Sequence, residues 1–175
     1  MMASPSRLAH YVLRTNQLER LVEWYCRLLD ARVNFANDKI SFISYDDEHH
    51  RIALVALEEY AEKGEAVQVG FYHAAFAFDS LGKLLDNYVR LKALGILPYR
   101  CINHGPTVSL YYRDPDRNDV EMQVDTFPDS ASTNAWMRSE AFRKNPIGIL
   151  ISPEAMLAKR AAGVPDAEQL RRADA

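Results

Sequence analysis

An internal repeat limits the folds open to this chain more than any other feature of its sequence. A histidine opens each copy, at His10 and at His73, and the residues that follow agree in type at equal spacings. The matching pairs are Leu18 and Leu81, Leu21 and Leu84, Tyr25 and Tyr88, Arg27 and Arg90, and Leu28 and Leu91. Because a repeated pattern of this kind marks a repeated structural unit, we expect one supersecondary motif to occur twice.

Each copy has the pattern of a strand, an amphipathic helix and three further strands. Apolar residues alternate along the predicted strands and recur at helical spacing in the predicted helices. The predicted strands of the first copy are 8–14, 31–36, 40–45 and 50–57, and its helix is 18–29. Those of the second copy are 67–78, 97–103, 107–112 and 120–125, and its helix is 81–94. The predicted fold is therefore α+β, with two tandem βαβββ modules that form a curved mixed sheet around a cavity.

We expect the two modules to form a single domain over residues 1–175. Its predicted parts are module one at about 7–57, a charged linker at 58–66, module two at about 67–126 and a C-terminal tail at 127–175. Within the tail, Ser152 followed by Pro153 predicts a helix start, and Gly163 predicts its end. The final segment, 166–175, is expected to be mobile.

The tail also contains Trp136 and Phe142, aromatic side chains that must be buried against something. It holds no candidate set of metal ligands. We therefore expect the tail to cover the mouth of the cavity or to contact a neighbouring subunit of a homo-oligomer.

Composition narrows the class of partner. The formal net charge is -3 and the pI is about 6.0, so no basic surface favours nucleic acid or an anionic membrane. Two cysteines, Cys26 and Cys101, cannot form a disulfide framework, and the N-terminal residues have no apolar signal core. No apolar run is long enough to span a membrane. These features predict a reduced, cytoplasmic protein with small-molecule partners.

Strand alternation predicts which side chains line the cavity. In the strand around His10, the apolar residues Tyr11 and Leu13 take the helix side, which leaves His10 on the concave face. The same alternation places His73 and Glu121 on that face. Two imidazoles and one carboxylate are the ligands of a facial triad, which suits Fe(II), Mn(II) or a related divalent ion.

The repeat also predicts that the metal has no fourth protein ligand. When the ends of the two copies are aligned, Val120-Glu121-Met122 falls on Ile52-Ala53-Leu54. Ala53 therefore occupies the position of Glu121 and offers no ligand atom. The gap would leave coordination positions for a bidentate substrate and a small co-substrate such as O2.

These features resemble the vicinal oxygen chelate superfamily, which includes glyoxalases, bleomycin resistance proteins and extradiol dioxygenases. The resemblance rests on the paired modules, on His10, His73 and Glu121, and on Tyr111-Tyr112-Arg113-Asp114-Pro115-Asp116 ahead of the acid. Within the superfamily, residues 7–126 are most similar to type I extradiol ring-cleavage dioxygenases. The resemblance implies an Fe(II) enzyme that cleaves a small aromatic diol with O2.

The same resemblance implies three further catalytic residues. Tyr111 stands ten residues before Glu121, as in such dioxygenases, and its strand parity also points it into the cavity. His104 resembles a cavity histidine near the seventh strand. A histidine expected on the fourth strand can be His49 or His50, and His49 is preferred because a regular strand would place it on the side of Ala53. His49 would then be the acid–base group, and His104 and Tyr111 would hydrogen-bond a substrate oxygen.

Other function classes stay open on the sequence. A thiol or glutathione transferase acting on an epoxide would share the ligand set but would not need His49, His104 and Tyr111 together. A glyoxalase-type isomerase commonly has four protein ligands, and Ala53 counts against it. The intact triad counts against a metal-free binding protein and against a structural or regulatory module.

Overall fold

The structure is a computed structural model that describes residues 4–64 and 69–174. The chain forms two compact units. One runs to Gly70 and includes the turn Asp114–Arg117, and the other contains Phe71–Arg113 and the chain from Asn118 onward. The division falls just beyond the predicted linker, whose residues 65 and 66 lie outside the described residues, as do residues 67 and 68 at the predicted start of module two.

The first unit is a four-stranded mixed sheet with one helix. Its elements are β1 (Tyr11–Arg14), α1 (Leu18–Leu29), β2 (Arg32–Ala36), β3 (Ile40–Ser44) and β4 (Ile52–Val55). The strand order is β1-β4-β3-β2, and β1 runs parallel to β4 while the other pairs are antiparallel. Leu21, Tyr25 and Leu28 share one face of α1 and are fully buried, because their spacing follows the helical period.

The turn Asp114–Arg117 belongs to this first unit. The Tyr25 hydroxyl donates a hydrogen bond to Asp114 Oδ2 at 3.1 Å, and Gln17 Nε2 donates to the Pro115 carbonyl at 3.2 Å. Asp114 is buried, so its carboxylate depends on this hydrogen bonding. The turn is thereby held by Gln17, the N-cap residue of α1, and by Tyr25 on the buried face of that helix.

The second unit repeats the motif and adds one short strand. Its elements are β5 (His73–Phe78), α2 (Leu81–Ala93), β6 (Arg100–Asn103), β7 (Thr107–Arg113), β8 (Asp119–Asp125) and β9 (Ile149–Leu150). The strand order is β5-β8-β7-β6-β9, with β5 parallel to β8. Ser80 caps α2 by accepting a hydrogen bond from the Lys83 amide.

Both predicted βαβββ modules are confirmed, as is the α+β class, and hydrogen bonding divides their strands into two mixed sheets. The registers of the two copies agree. Val12 pairs with Ala53 in the first sheet, and Ala75 pairs with Glu121 in the second. Since Val12 and Ala75 follow His10 and His73 at equal spacing, Ala53 occupies in its sheet the position that Glu121 occupies in the other.

Several strands begin later than predicted. β1 begins at Tyr11 rather than at residue 8, β5 at His73, and β4 at Ile52 rather than at residue 50. The residues before β4 form a bend, because the Arg51 guanidinium donates to both carboxylate oxygens of Asp46 at 2.9 to 3.2 Å. Arg51 also donates to the carbonyls of Leu8 and Ala9, which orders the chain ahead of β1.

The tail belongs to the second unit and is helical. It contains α3 (Ser130–Met137), α4 (Glu140–Lys144), α5 (Pro153–Ala161) and α6 (Asp166–Gln169). The predicted cap is confirmed, since Ser152 accepts a hydrogen bond from the Ala155 amide and Pro153 opens α5. The Glu154 carboxylate on α5 accepts hydrogen bonds from the Tyr88 hydroxyl and the Lys92 ammonium of α2. Within the described ranges, no helix is long and apolar enough to span a membrane.

The expectation that residues 166–175 are mobile was wrong for the part that the structure describes. This segment contains α6, and beyond it the Arg172 side chain is buried, with the residue only 6% exposed. Its guanidinium donates to the carbonyls of Asn145 and Ala141. These long-range contacts anchor the end of the chain, and no local sequence pattern reveals them.

Candidate active site

A buried carboxylate and an imidazole form the centre of the candidate site in the second unit. Glu121 lies in the middle of β8 and is 5% exposed, and His73 opens the neighbouring strand β5. His73 Nε2 lies 2.9 Å from Glu121 Oε2. An isolated buried carboxylate is costly, so this site needs a proton or a cation to offset its charge. Imidazole nitrogen and carboxylate oxygen are also the two ligand types of a facial triad.

Tyr111 and His104 extend this centre. Tyr111 on β7 pairs directly with Glu121 on β8, so both side chains project from the same face of the sheet. The Tyr111 hydroxyl oxygen lies 2.8 Å from His104 Nε2, and its ring lies 5.6 Å from that of His73. The structure therefore brings four of the predicted site residues together.

The hydrogen bonds of His104 define its tautomer. His104 Nδ1 lies 2.5 Å from the Ile147 carbonyl, which can only accept, so Nδ1 carries the hydrogen. His104 Nε2 is then an acceptor that faces the Tyr111 hydroxyl, which also hydrogen-bonds the Glu121 side chain. Burial lowers the pKa of His104, and burial together with the charge of Glu121 raises the pKa of Tyr111. Both shifts favour the neutral forms of the pair near neutral pH.

Sequence reasoning missed Arg100 as a neighbour of the site. Arg100 pairs with Tyr111 across β6 and β7, and its guanidinium carbon lies 4.8 Å from the centre of the Tyr111 ring. Its positive charge opposes the rise in the pKa of Tyr111. Strand parity is the signal that could have identified it, because Arg100 shares a sheet face with Tyr111.

In the first unit, His50 rather than His49 lies on the face of Ala53. The His50 ring stacks on Phe42 with centroids 4.6 Å apart, and Phe42 pairs directly with Ala53. The His50 ring also lies 4.3 Å from that of His10. His49 is exposed and contacts His50 through Nδ1. The preference for His49 assumed a regular strand, whereas the chain bends before β4.

The predicted triad combines residues of both units, His10 from the first and His73 and Glu121 from the second. Over residues 4–64 and 69–174, no three His, Cys, Asp or Glu side chains stand close enough together to form a ready metal site. The metal ligands therefore stay a prediction. The structure establishes two clusters, namely His73, Glu121, Tyr111 and His104 in one unit and His10 with His50 in the other.

The fold and these clusters define the class of protein. Residues 7–122 match the profile of the Glyoxalase/Bleomycin resistance protein/Dioxygenase superfamily. The chain belongs to this superfamily, which confirms the resemblance drawn from the sequence.

Two proteins that are similar to this chain over most of its length are named as dioxygenases. The chain is 41% identical over 165 residues to biphenyl-2,3-diol 1,2-dioxygenase 2 of Rhodococcus globerulus, covering 94% of this chain and 86% of the relative. It is 42% identical over 169 residues to biphenyl-2,3-diol 1,2-dioxygenase 3 of the same organism, covering 95% and 88%.

Solved structures agree on the fold. Lactoylglutathione lyase from Agrobacterium tumefaciens aligns with a TM-score of 0.56 at 20% identity, over 70% of this chain and 96% of that one. The fosfomycin resistance protein FosX from Listeria monocytogenes aligns with a TM-score of 0.51 at 20% identity, over 71% and 94%. At these identities the alignments establish the shared fold alone.

Proposed function

We propose that this protein is an Fe(II)-dependent extradiol dioxygenase that cleaves the ring of an aromatic vicinal diol with O2. The observation that carries the proposal is the placement of His73 and Glu121 beside the hydrogen-bonded pair Tyr111 and His104. A glyoxalase or an epoxide transferase needs the metal ligands but not that pair. The two biphenyl-2,3-diol 1,2-dioxygenases, at 41% and 42% identity, support the same reaction class.

In this proposal His73 and Glu121 hold the metal, and His10 is the third protein ligand. The donor chemistry fits, because Glu121 is a buried carboxylate and its ion-pair partner among the described residues is an imidazole. Ferrous iron is the first candidate, and Mn(II) or another divalent ion would suit the same ligands. A bound metal would hold both oxygens of the diol and make the ring reactive towards O2.

Tyr111 and His104 would take a proton from the substrate. The Tyr111 hydroxyl has one hydrogen and two acceptors, since it hydrogen-bonds the Glu121 side chain as well as His104 Nε2. With Glu121 bound to the metal and His104 Nδ1–H donating to Ile147, that hydrogen would go to His104 Nε2, and the Tyr111 oxygen would be left to accept a hydrogen bond. A hydroxyl of the diol is the natural donor. The chain of hydrogen bonds can then pass a proton from the diol through Tyr111 to His104 Nε2.

His50 is the stronger candidate for the separate acid–base group. It lies against His10, the proposed ligand, and on the face of Ala53, where no protein ligand exists. Burial and the neighbouring imidazoles of His10 and His49 lower the pKa of His50. A neutral imidazole there can accept a proton and return it as the ring opens beside the diol.

The metal site is tested by metal content. Purified protein is reconstituted anaerobically with Fe(II), desalted and assayed for iron, alongside Glu121→Ala and His10→Ala. Both variants should lose most of the bound iron. Gln123→Ala, on the same strand and at the same parity as Glu121, is the control and should retain it. Full stoichiometric iron in both ligand variants would place the site elsewhere.

The reaction is tested by oxygen uptake and ring cleavage with a panel of catechols that includes biphenyl-2,3-diol. Iron-loaded protein should consume O2 with at least one vicinal diol. If it consumes none while accelerating thiol addition to an epoxide, the transferase class replaces the dioxygenase.

The role of the two adjacent histidines is tested by a matched pair of variants. His50→Phe should retain iron and lose about 10²- to 10⁴-fold in turnover, the usual contribution of a general acid–base group. His49→Phe should lose much less, because His49 is exposed. The reverse ranking would restore His49 as the acid–base group.

A further inference from the structure

We propose that Arg172, acting with the C-terminal tail, is a positioning residue that fixes the orientation and tautomer of His104. The inference rests on the proposed function of His104 and assigns to the tail a role inside the active site. It differs from the expectation that the tail covers the cavity or mediates assembly.

The tail contacts His104 through both its side chain and its backbone. The Ile147 carbonyl accepts from His104 Nδ1 at 2.5 Å, and Arg172 Nη1 donates to the His104 carbonyl at 3.1 Å. The preceding residue is held as well, since Asn103 Nδ2 donates to the Leu170 carbonyl at 2.9 Å. Every one of these partners lies in the tail, so the connection between β6 and β7 takes its shape from residues far along the chain.

The contacts at this position use the planar shape of a guanidinium. One planar guanidinium with five donors reaches the carbonyls of His104, Asn145 and Ala141, the last two at 2.8 and 3.2 Å. Arg172 Nε also lies 2.7 Å from Asp174. A lysine ammonium is a compact charge on a flexible stem and cannot span these acceptors at once.

Packing locks the guanidinium in place. The Arg172 guanidinium lies over the Trp136 ring, 4.9 Å from its centre. Trp136 in turn lies against Gly105, the residue after His104, so closely that a Cβ at Gly105 would be 1.8 Å from the ring. Gly105, Trp136 and Arg172 therefore form a stack beside the candidate catalytic histidine.

The consequence for chemistry concerns the proton on His104. The Ile147 carbonyl requires a hydrogen on Nδ1, which leaves Nε2 free to accept from Tyr111. If Arg172 no longer holds the connection, His104 can turn away from Ile147 and its tautomer is no longer imposed. The proton path from Tyr111 would then lack a fixed acceptor.

The test uses the full chain and the variants Arg172→Met and Arg172→Lys. Arg171→Met is the matched control, because Arg171 is the adjacent residue and is exposed. Imidazole ¹⁵N spectra of the metal-free protein report the tautomer, with the His104 signals assigned from a His104→Asn spectrum. Iron content, KM and turnover with a diol are then measured on reconstituted protein.

We expect the wild type to show His104 protonated on Nδ1, and Arg172→Met to show averaged nitrogen signals with unchanged iron content. Turnover should fall about 10- to 100-fold, as small displacements of a reacting group do, with little change in KM. Arg172→Lys should recover only part of the loss, and Arg171→Met should match the wild type. If Arg172→Met does not fold, Arg172→Lys decides by the same spectrum.

An unchanged His104 spectrum in the Arg172 variants, or an equal change in Arg171→Met, would overturn the proposal. The spectrum does not depend on dioxygenase activity. If the spectrum changes as expected but no diol is cleaved by the wild type, the positioning role stands and the proposed reaction fails.

Discussion

Replacing Gly105 with alanine tests the stack beside His104 through its effect on stability. Gly105 has a φ of +99°, and an added Cβ would lie 1.8 Å and 2.1 Å from two carbons of the Trp136 ring. Trp136 has little freedom to move away, because its ring centre lies 5.9 Å from that of Phe127 and 5.4 Å from that of Phe142. The alanine therefore combines backbone strain with overpacking.

A second variant, Gly95→Ala, measures the backbone strain without the overpacking. Gly95 has a φ of +74°, and an added Cβ there would meet nothing within 4 Å. Left-handed backbone costs a non-glycine residue roughly 1–2 kcal/mol, so Gly95→Ala should lower the free energy of unfolding by about that amount. Overpacking adds about 1–3 kcal/mol, so Gly105→Ala should cost about 2–5 kcal/mol.

The assay is urea unfolding followed by far-UV circular dichroism, with the free energy extrapolated to water. The double variant Gly105→Ala with Trp136→Ala completes a cycle. It should show a favourable coupling of about 1–3 kcal/mol, because removing the ring removes the clash. The reasoning is refuted if Gly105→Ala costs no more than Gly95→Ala, or if the cycle shows no coupling.

Three further outcomes follow from particular side chains. Burial raises the pKa of the Cys101 thiol to about 11, so roughly one molecule in a thousand carries the Cys101 thiolate at pH 8. Because the thiolate is the form that reacts, iodoacetamide should alkylate Cys26 before Cys101, as peptide mass spectrometry would show. Burial and Asp119 raise the pKa of Tyr99 to about 12. Because the tyrosine pKa in the unfolded chain is near 10, the contribution of Tyr99 to the free energy of unfolding is complete below pH 10 and declines towards pH 12. Tyr99→Phe should lessen that decline. Ser152→Ala should cost about 1 kcal/mol in urea unfolding, because it removes the cap of α5, and an unchanged midpoint would contradict this.

Local periodicity let the sequence predict the parts of the fold that repeat. Strand parity depends only on neighbouring residues, so the common sheet face of Tyr111 and Glu121 followed from the order of apolar and polar side chains. The duplication predicted the equivalence of Ala53 and Glu121, which the two strand registers bear out. The structure keeps the predicted strand parity and the equivalence of Ala53 and Glu121, because the apolar side chains of each strand must face the core.

Individual side-chain contacts that follow no periodic pattern decided what the sequence alone could not. Which of His49 and His50 faces Ala53 depends on the hydrogen bonds that the Arg51 guanidinium donates to Asp46. They bend the chain where a regular strand was assumed. The role of the tail depends on Arg172 reaching the carbonyl of His104, 68 residues away in sequence. A hydrogen bond from a buried guanidinium to a backbone carbonyl leaves no periodic trace in the sequence, so only the tertiary structure could reveal that the end of the chain holds the candidate catalytic histidine.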